Sequence, residues 1–77
     1  MSNEEVTPVA FEPLKKYLGM RVRIFLTEDG EVEGILKGYD KHLNVTIADG
    51  EMITSTQKIK FGDFVLRGAA IIAITEL

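Results

Sequence analysis

Few residues in this chain are equipped to do chemistry. His42 is the single imidazole, cysteine is absent, and Asp and Glu outnumber Lys and Arg by 12 to 9. One imidazole without thiolates cannot hold zinc unless several carboxylates converge beside it. Asp40 and Asp49 make no convincing acid–base pair, since nothing in the sequence sets a nucleophile between them. A phosphate-cradling glycine loop is also missing. What remains is recognition chemistry. Asn44 carries a donor and an acceptor on one amide, Arg67 a planar guanidinium that never loses its charge, and His42 a flat ring. Each has a plainer role open to it: His42 as a surface residue, Asn44 as a partner for turn backbone groups, Arg67 as one half of an ion pair between subunits. His42 and Asn44 stand two apart, which on an extended strand puts both on one face. A joint site is expected there.

The elements that must position these groups are legible from periodicity. Phe11, Leu14 and Leu18 recur at spacings of three and four, one face of a short helix. Pro13 suits its first turn and Gly19 the residue past its end. Lys15 and Lys16 suit the negative end of its dipole. From Met20 the period falls to two: Val22, Ile24 and Leu26 on one side, Arg21, Arg23 and Phe25 on the other. Glu28-Asp29-Gly30 signals a hairpin. A second strand over 31–40 sets Val32, Gly34, Leu36 and Gly38 on one face, and two glycines there allow a sharp bend. Leu43, Val45 and Ile47 mark the core face of a third strand, with His42, Asn44 and Thr46 opposite. Asp49-Gly50 reads as a turn, and 51–60 contains a connection. Phe61 to Leu77 is the most apolar stretch. Such strands are buried on both faces, and a chain of 77 residues has too little mass to cover them alone. A neighbouring subunit is the expected cover.

Composition sets the outer bounds. A domain of this size is marginal by itself and usually leans on disulfides, a metal or oligomerisation. Without cysteine, oligomerisation is the route left. No apolar run is long enough to span a membrane, and the acidic start Met1-Ser2-Asn3-Glu4-Glu5 does not resemble a signal peptide. These features lead to an expectation of a cytoplasmic protein with a loose tail over 1–10 and one domain over 11–77. The net charge of −3 argues against broad binding of duplex DNA, though a local basic site remains compatible with it.

Two segments carry a family resemblance. Val32 to Asn44 reads Val-Glu-Gly-Ile-Leu-Lys-Gly-Tyr-Asp-Lys-His-Leu-Asn, and Val65 to Gly68 reads Val-Leu-Arg-Gly, followed by Ile71, Ile72 and Ile74. In order and separation they resemble the bipartite motif of the Sm-like (LSm) family, in its archaeal and eukaryotic-type branch. The Tyr-Lys-His signature of the bacterial Hfq branch is lacking. The resemblance covers 11–77. It implies a mainly β fold: a short N-terminal helix, then a five-stranded, strongly bent antiparallel sheet closing into a small open barrel of SH3-like form. It also implies a homo-oligomeric ring, usually of seven subunits with six or eight as variants. In that ring the fourth strand of one copy pairs with the fifth of the next.

The same resemblance implies a function, the holding of short single-stranded uridine-rich RNA around a central pore without catalysis and without a cofactor. It maps base stacking onto His42 and Arg67, the uracil edge onto Asn44, and bracing of the loop or of the Asn44 amide onto Asp40. Gly68 would let the backbone approach the base. Stacking contributes on the order of 1–3 kcal/mol per base, and a ring multiplies it through effective concentration. One departure stands out. Many relatives carry a polar residue after Arg-Gly, whereas Ala69-Ala70 follow here, so a weaker affinity or uridine preference is expected. Together with the net acidity, those alanines leave open a second reading, a structural ring or protein-adaptor module with little affinity for RNA.

Overall fold

The computed structural model of the chain describes residues 14–77. The expected tail, and Phe11 and Pro13 of the expected helix, lie outside the described residues. Where the description begins, Leu14 and Lys15 are helical. The backbone then tightens: the N–H groups of Tyr17, Leu18 and Met20 donate to the carbonyls of Leu14, Lys15 and Tyr17. Bonds three residues apart bring side chains at i and i+3 into line. Tyr17 therefore joins Leu14 against the core, and Leu18, which a four-residue step would have placed there, is exposed. Gly19 ends the segment at φ +83°, the left-handed conformation expected just past a helix.

Five strands follow: β1 Arg21–Leu26, β2 Glu31–Tyr39, β3 Val45–Ile53, β4 Lys58–Leu66 and β5 Ile71–Glu76, with a 3-10 turn at Gly68–Ala70 between the last two. They form one sheet in the order β4-β3-β2-β1-β5, antiparallel throughout. β1 and β2 are joined through Gly30, at φ +130°, as the Asp29-Gly30 signal predicts. Val22, Ile24, Val32, Leu36, Val45, Ile47 and Leu66 close over Leu14 as one apolar core. This is the alternation read from the sequence, folded onto the inner face.

The bend is where sequence and structure part. Asp49-Gly50 is not a turn; both residues lie inside β3, and the chain reverses at 54–57, where the Thr54 N–H donates to the Gln57 carbonyl. Asp49 does adopt a positive φ of +54°, but it spends that freedom on a break in register between Ile47 and Gly50. This is the geometry of a bulge, which kinks a strand and adds twist. Gly50 faces Gly62 on β4, itself at φ +80°, and the Asp63 carboxylate accepts the Asp49 N–H. On β2, a Cβ at Gly34 would run into Ile47 and lie 3.1 Å from the Gly50 Cα. Glycines on three successive strands thus let the sheet fold over itself. Gly38, expected to share that duty, faces open space.

The sheet does not close within the chain. β4 and β5 are its two edges, and they carry the exposed Ile59, Phe61, Val65 and Ile72. The apolar stretch expected to need cover is therefore left on strands with one open edge each, the arrangement that invites association between chains.

Candidate nucleic-acid site

The site lies where the β2–β3 hairpin ends and the β4–β5 connection crosses it. The last rungs of the hairpin pair Gly38 with Thr46 and Tyr39 with Val45. Residues 40–44 then form a turn organised by one carboxylate. Asp40 Oδ1 accepts the backbone N–H of His42 at 2.8 Å and of Asn44 at 3.0 Å, and Oδ2 accepts Asn44 Nδ2 at 3.0 Å. The Leu43 N–H returns to the Asp40 carbonyl. Asp is suited to this because its short side chain can bond its own backbone two residues on.

This turn corrects one expectation. Leu43 does not sit on a strand: its φ is +63°, and β3 begins only at Val45. His42 and Asn44 are thus neighbours in a turn and do not share a strand face. Three N–H groups directed at one carboxylate outweigh the cost of a left-handed leucine. The two residues are still held close together, by Asp40 and not by pleating.

Three donors also act on Asp40 itself. The Asn44 side-chain amide first, then the backbone N–H groups of Asn44 and His42 and the nearby imidazole, hold its carboxyl below the usual range; slight burial opposes them. The carboxylate form is the one these donors favour.

The second motif arrives through Asn44. Its Oδ1 accepts the Gly68 backbone N–H at 2.8 Å. Gly68 presses so closely that a Cβ there would collide with the His42 carbonyl oxygen and lie 2.9 Å from that of Leu43. Here the glycine is demanded by close approach, since its φ is unremarkable. Arg67 precedes it in extended conformation, and its carbonyl accepts the Ala70 N–H. Arg67 borders an apolar recess with Phe61, Phe64, Val65 and Leu66. Asp40, His42, Asn44 and Gly68 are therefore brought together directly, with Arg67 adjoining them through the backbone. Pairing of Asn44 with Gly68, 24 positions apart, carries no local signal; only the bipartite motif points to it.

The amide of Asn44 is oriented by its partners. Gly68 can only donate and Asp40 can only accept, so Oδ1 and Nδ2 cannot exchange places. One Nδ2 proton and one Oδ1 lone pair stay available. His42, two residues before Asn44, and Arg67, directly before Gly68, are both exposed. Among the described residues no cluster of His, Cys, Asp or Glu could hold a metal ion, and no described helix is long and apolar enough to cross a membrane.

The sequence profile of the LSM domain matches residues 12–76. The chain belongs to the LSM family. Small nuclear ribonucleoprotein G of Schizosaccharomyces pombe is 38% identical over 65 residues, covering 83% of this chain and 84% of its own. In three dimensions the chain resembles an Sm protein of Pyrococcus abyssi solved in complex with a uridine heptamer. The TM-score is 0.80 at 36% identity, over 86% of this chain and 94% of that one. A heptameric archaeal Sm protein superposes with a TM-score of 0.77 at 31% identity, over 84% of this chain and 96% of that one. The LSM fold of these relatives is mainly β, as the five-stranded sheet here is.

Proposed function

We propose that this LSM protein assembles into a homo-oligomeric ring of seven subunits and binds single-stranded uridine-rich RNA as a non-catalytic scaffold or chaperone in RNA processing, in the cytoplasm. The observation that carries the reading is the Asn44 amide, fixed between Asp40 and Gly68. Its remaining donor and acceptor complement the uracil edge, where a carbonyl oxygen lies beside an imino N–H. Because the amide cannot flip, that complementarity is preset. His42 and Arg67 supply a flat ring and a flat cation between which a base can stack. The heptameric relative and the relative holding a uridine heptamer support the ring and its ligand. So do the unpaired apolar edges of β4 and β5, which a head-to-tail contact would satisfy while a closed rotation keeps the assembly finite.

Native mass spectrometry with and without oligouridylate, followed by affinity measurements on intact rings, tests this. The expected result is a heptamer that prefers uridine, with Asn44→Ala and Arg67→Ala each weakening binding at least tenfold. Variants that bind as well as the wild type would remove the pore site.

A further inference from the structure

A chain with a net charge of −3 is not drawn to a polyanion by its overall charge. Phosphate neutralisation by Lys and Arg supplies most of the sequence-independent affinity for nucleic acid, and the field that matters is local. We infer that Lys37 and Lys41 are the phosphate-binding residues of the site, flanking the base-reading groups and giving this acidic protein its hold on the RNA backbone. The inference rests on the RNA-binding reading above.

Three observations converge on it. First, placement. Lys37 sits where the β2–β3 ladder shifts register between Leu36 and Gly38, and such irregularities re-aim side chains. Lys41 lies within the Asp40 turn, directly before His42. Both are exposed. Second, freedom. Arg21 and Arg23 on β1 are engaged by Asp49, Glu31 and Glu33. Among the described residues, no carboxylate lies within ion-pair distance of Lys37, Lys41 or Arg67. Third, segregation of charge. From Gly34 to Ala48 the only carboxylate is Asp40, and its two oxygens already accept three N–H groups. The acidic residues Glu28, Asp29 and Glu31 gather at the other end of β2, a strand length away. The end of the β2–β3 hairpin that carries the site is thus basic within an acidic chain, and a ring repeats that hairpin end around one axis.

The division of labour differs from that of Asn44. Lysine is a flexible point charge with three donors and no planar fork, so it should add affinity without choosing a base. The test uses intact wild-type rings, Lys37→Gln/Lys41→Gln rings and Lys58→Gln/Lys60→Gln rings, titrated with oligouridylate and oligoadenylate over a range of salt concentrations, with ring mass checked for each. The expected result is a weaker Lys37→Gln/Lys41→Gln ring. Its log affinity should depend less steeply on log salt, by about 0.7 for each phosphate no longer neutralised, and its ratio of uridine to adenosine affinity should be unchanged. A wild-type slope in that variant overturns the inference while leaving the base-reading site intact. An equal change in Lys58→Gln/Lys60→Gln overturns it as a mere effect of net charge. Wild-type rings that bind neither oligonucleotide overturn the inference and the RNA-binding reading together.

Discussion

The side-chain carbonyl of Asn44 accepts the backbone N–H of Gly68 at 2.8 Å, joining the hairpin turn to the β4–β5 connection. That bond makes one residue both a structural clasp and a candidate base reader, and the two roles can be separated. In Asn44→Ala the Gly68 N–H and an oxygen of Asp40 lose their partner. Leaving a partly buried donor unsatisfied costs about 1–3 kcal/mol, so the urea midpoint should fall. In Asn44→Asp an acceptor for Gly68 persists but a second carboxylate confronts Asp40. Stability should then recover as pH drops through the carboxylate range, whereas uridine binding stays lost because the Nδ2 donor is gone. Urea titrations at two pH values beside oligouridylate binding decide the matter, and recovery of binding with stability would show Asn44 to be a clasp alone.

Gly68 and Gly38 make a matched pair of substitutions. A Cβ at Gly68 meets the His42 and Leu43 carbonyls, whereas one at Gly38 meets nothing within 4 Å. Overpacking against backbone that cannot move aside costs typically about 1–3 kcal/mol. Gly68→Ala should lower the urea midpoint accordingly and impair binding. Gly38→Ala should lie within roughly 0.5 kcal/mol of the wild type. Equal losses in both would mean that the crossing of the connection over the turn is looser than its geometry.

Asp40 predicts a pH dependence with a definite sign. Its carboxyl titrates below its ordinary value of 3.8 because Asn44 and the turn N–H groups favour the ionised form. Between the folded and unfolded values the unfolded chain binds more protons, so stability rises with pH there. The contribution is complete above about pH 4 to 5 and disappears as pH falls through the folded value. The stability gap between wild type and Asp40→Asn should therefore be largest near neutrality and narrow in acid. A gap that stays constant with pH would mean that the carboxylate's charge does not hold the turn.

These residues also show how far the sequence could be read. β1 and the Gly30 hairpin were legible because alternation and a local turn signal agree over a few residues. Asp49-Gly50 was not, because a turn and a bulge use the same positive φ. Choosing between them requires knowing that Gly62 lies opposite on β4, which is tertiary information. Leu43 was misplaced for a related reason. Its apolar side chain fits the alternation of β3, yet the bonds of Asp40 to residues 42 and 44 fix the backbone otherwise. The proximity of Asp40, His42, Asn44 and Gly68, with Arg67 beside them, was legible all the same, since these residues are tied by motif spacing and not by periodicity. Their geometry was out of reach, because the Asn44–Gly68 bond depends on how two distant segments cross.

The outer strands supply the last prediction. Val65 on β4 is 64% exposed and Ile72 on β5 is 58% exposed, and these strands are the two open edges of the sheet. In an isolated subunit a lysine at either position stays in water and costs little. In a ring it must be desolvated against a neighbour, and the burial of an apolar side chain worth about 1.5–3 kcal/mol is forfeited at every interface at once. Val65→Lys and Ile72→Lys should therefore dissociate the ring in native mass spectra at concentrations where the wild type is intact. The unfolding midpoint of each, measured in dilute solution where subunits are apart, should match that of the wild type at the same dilution. Oligouridylate affinity should collapse with the ring, because each copy then offers one weak site in place of several acting on one strand. Rings that persist through both substitutions would place the subunit contact elsewhere on the molecule.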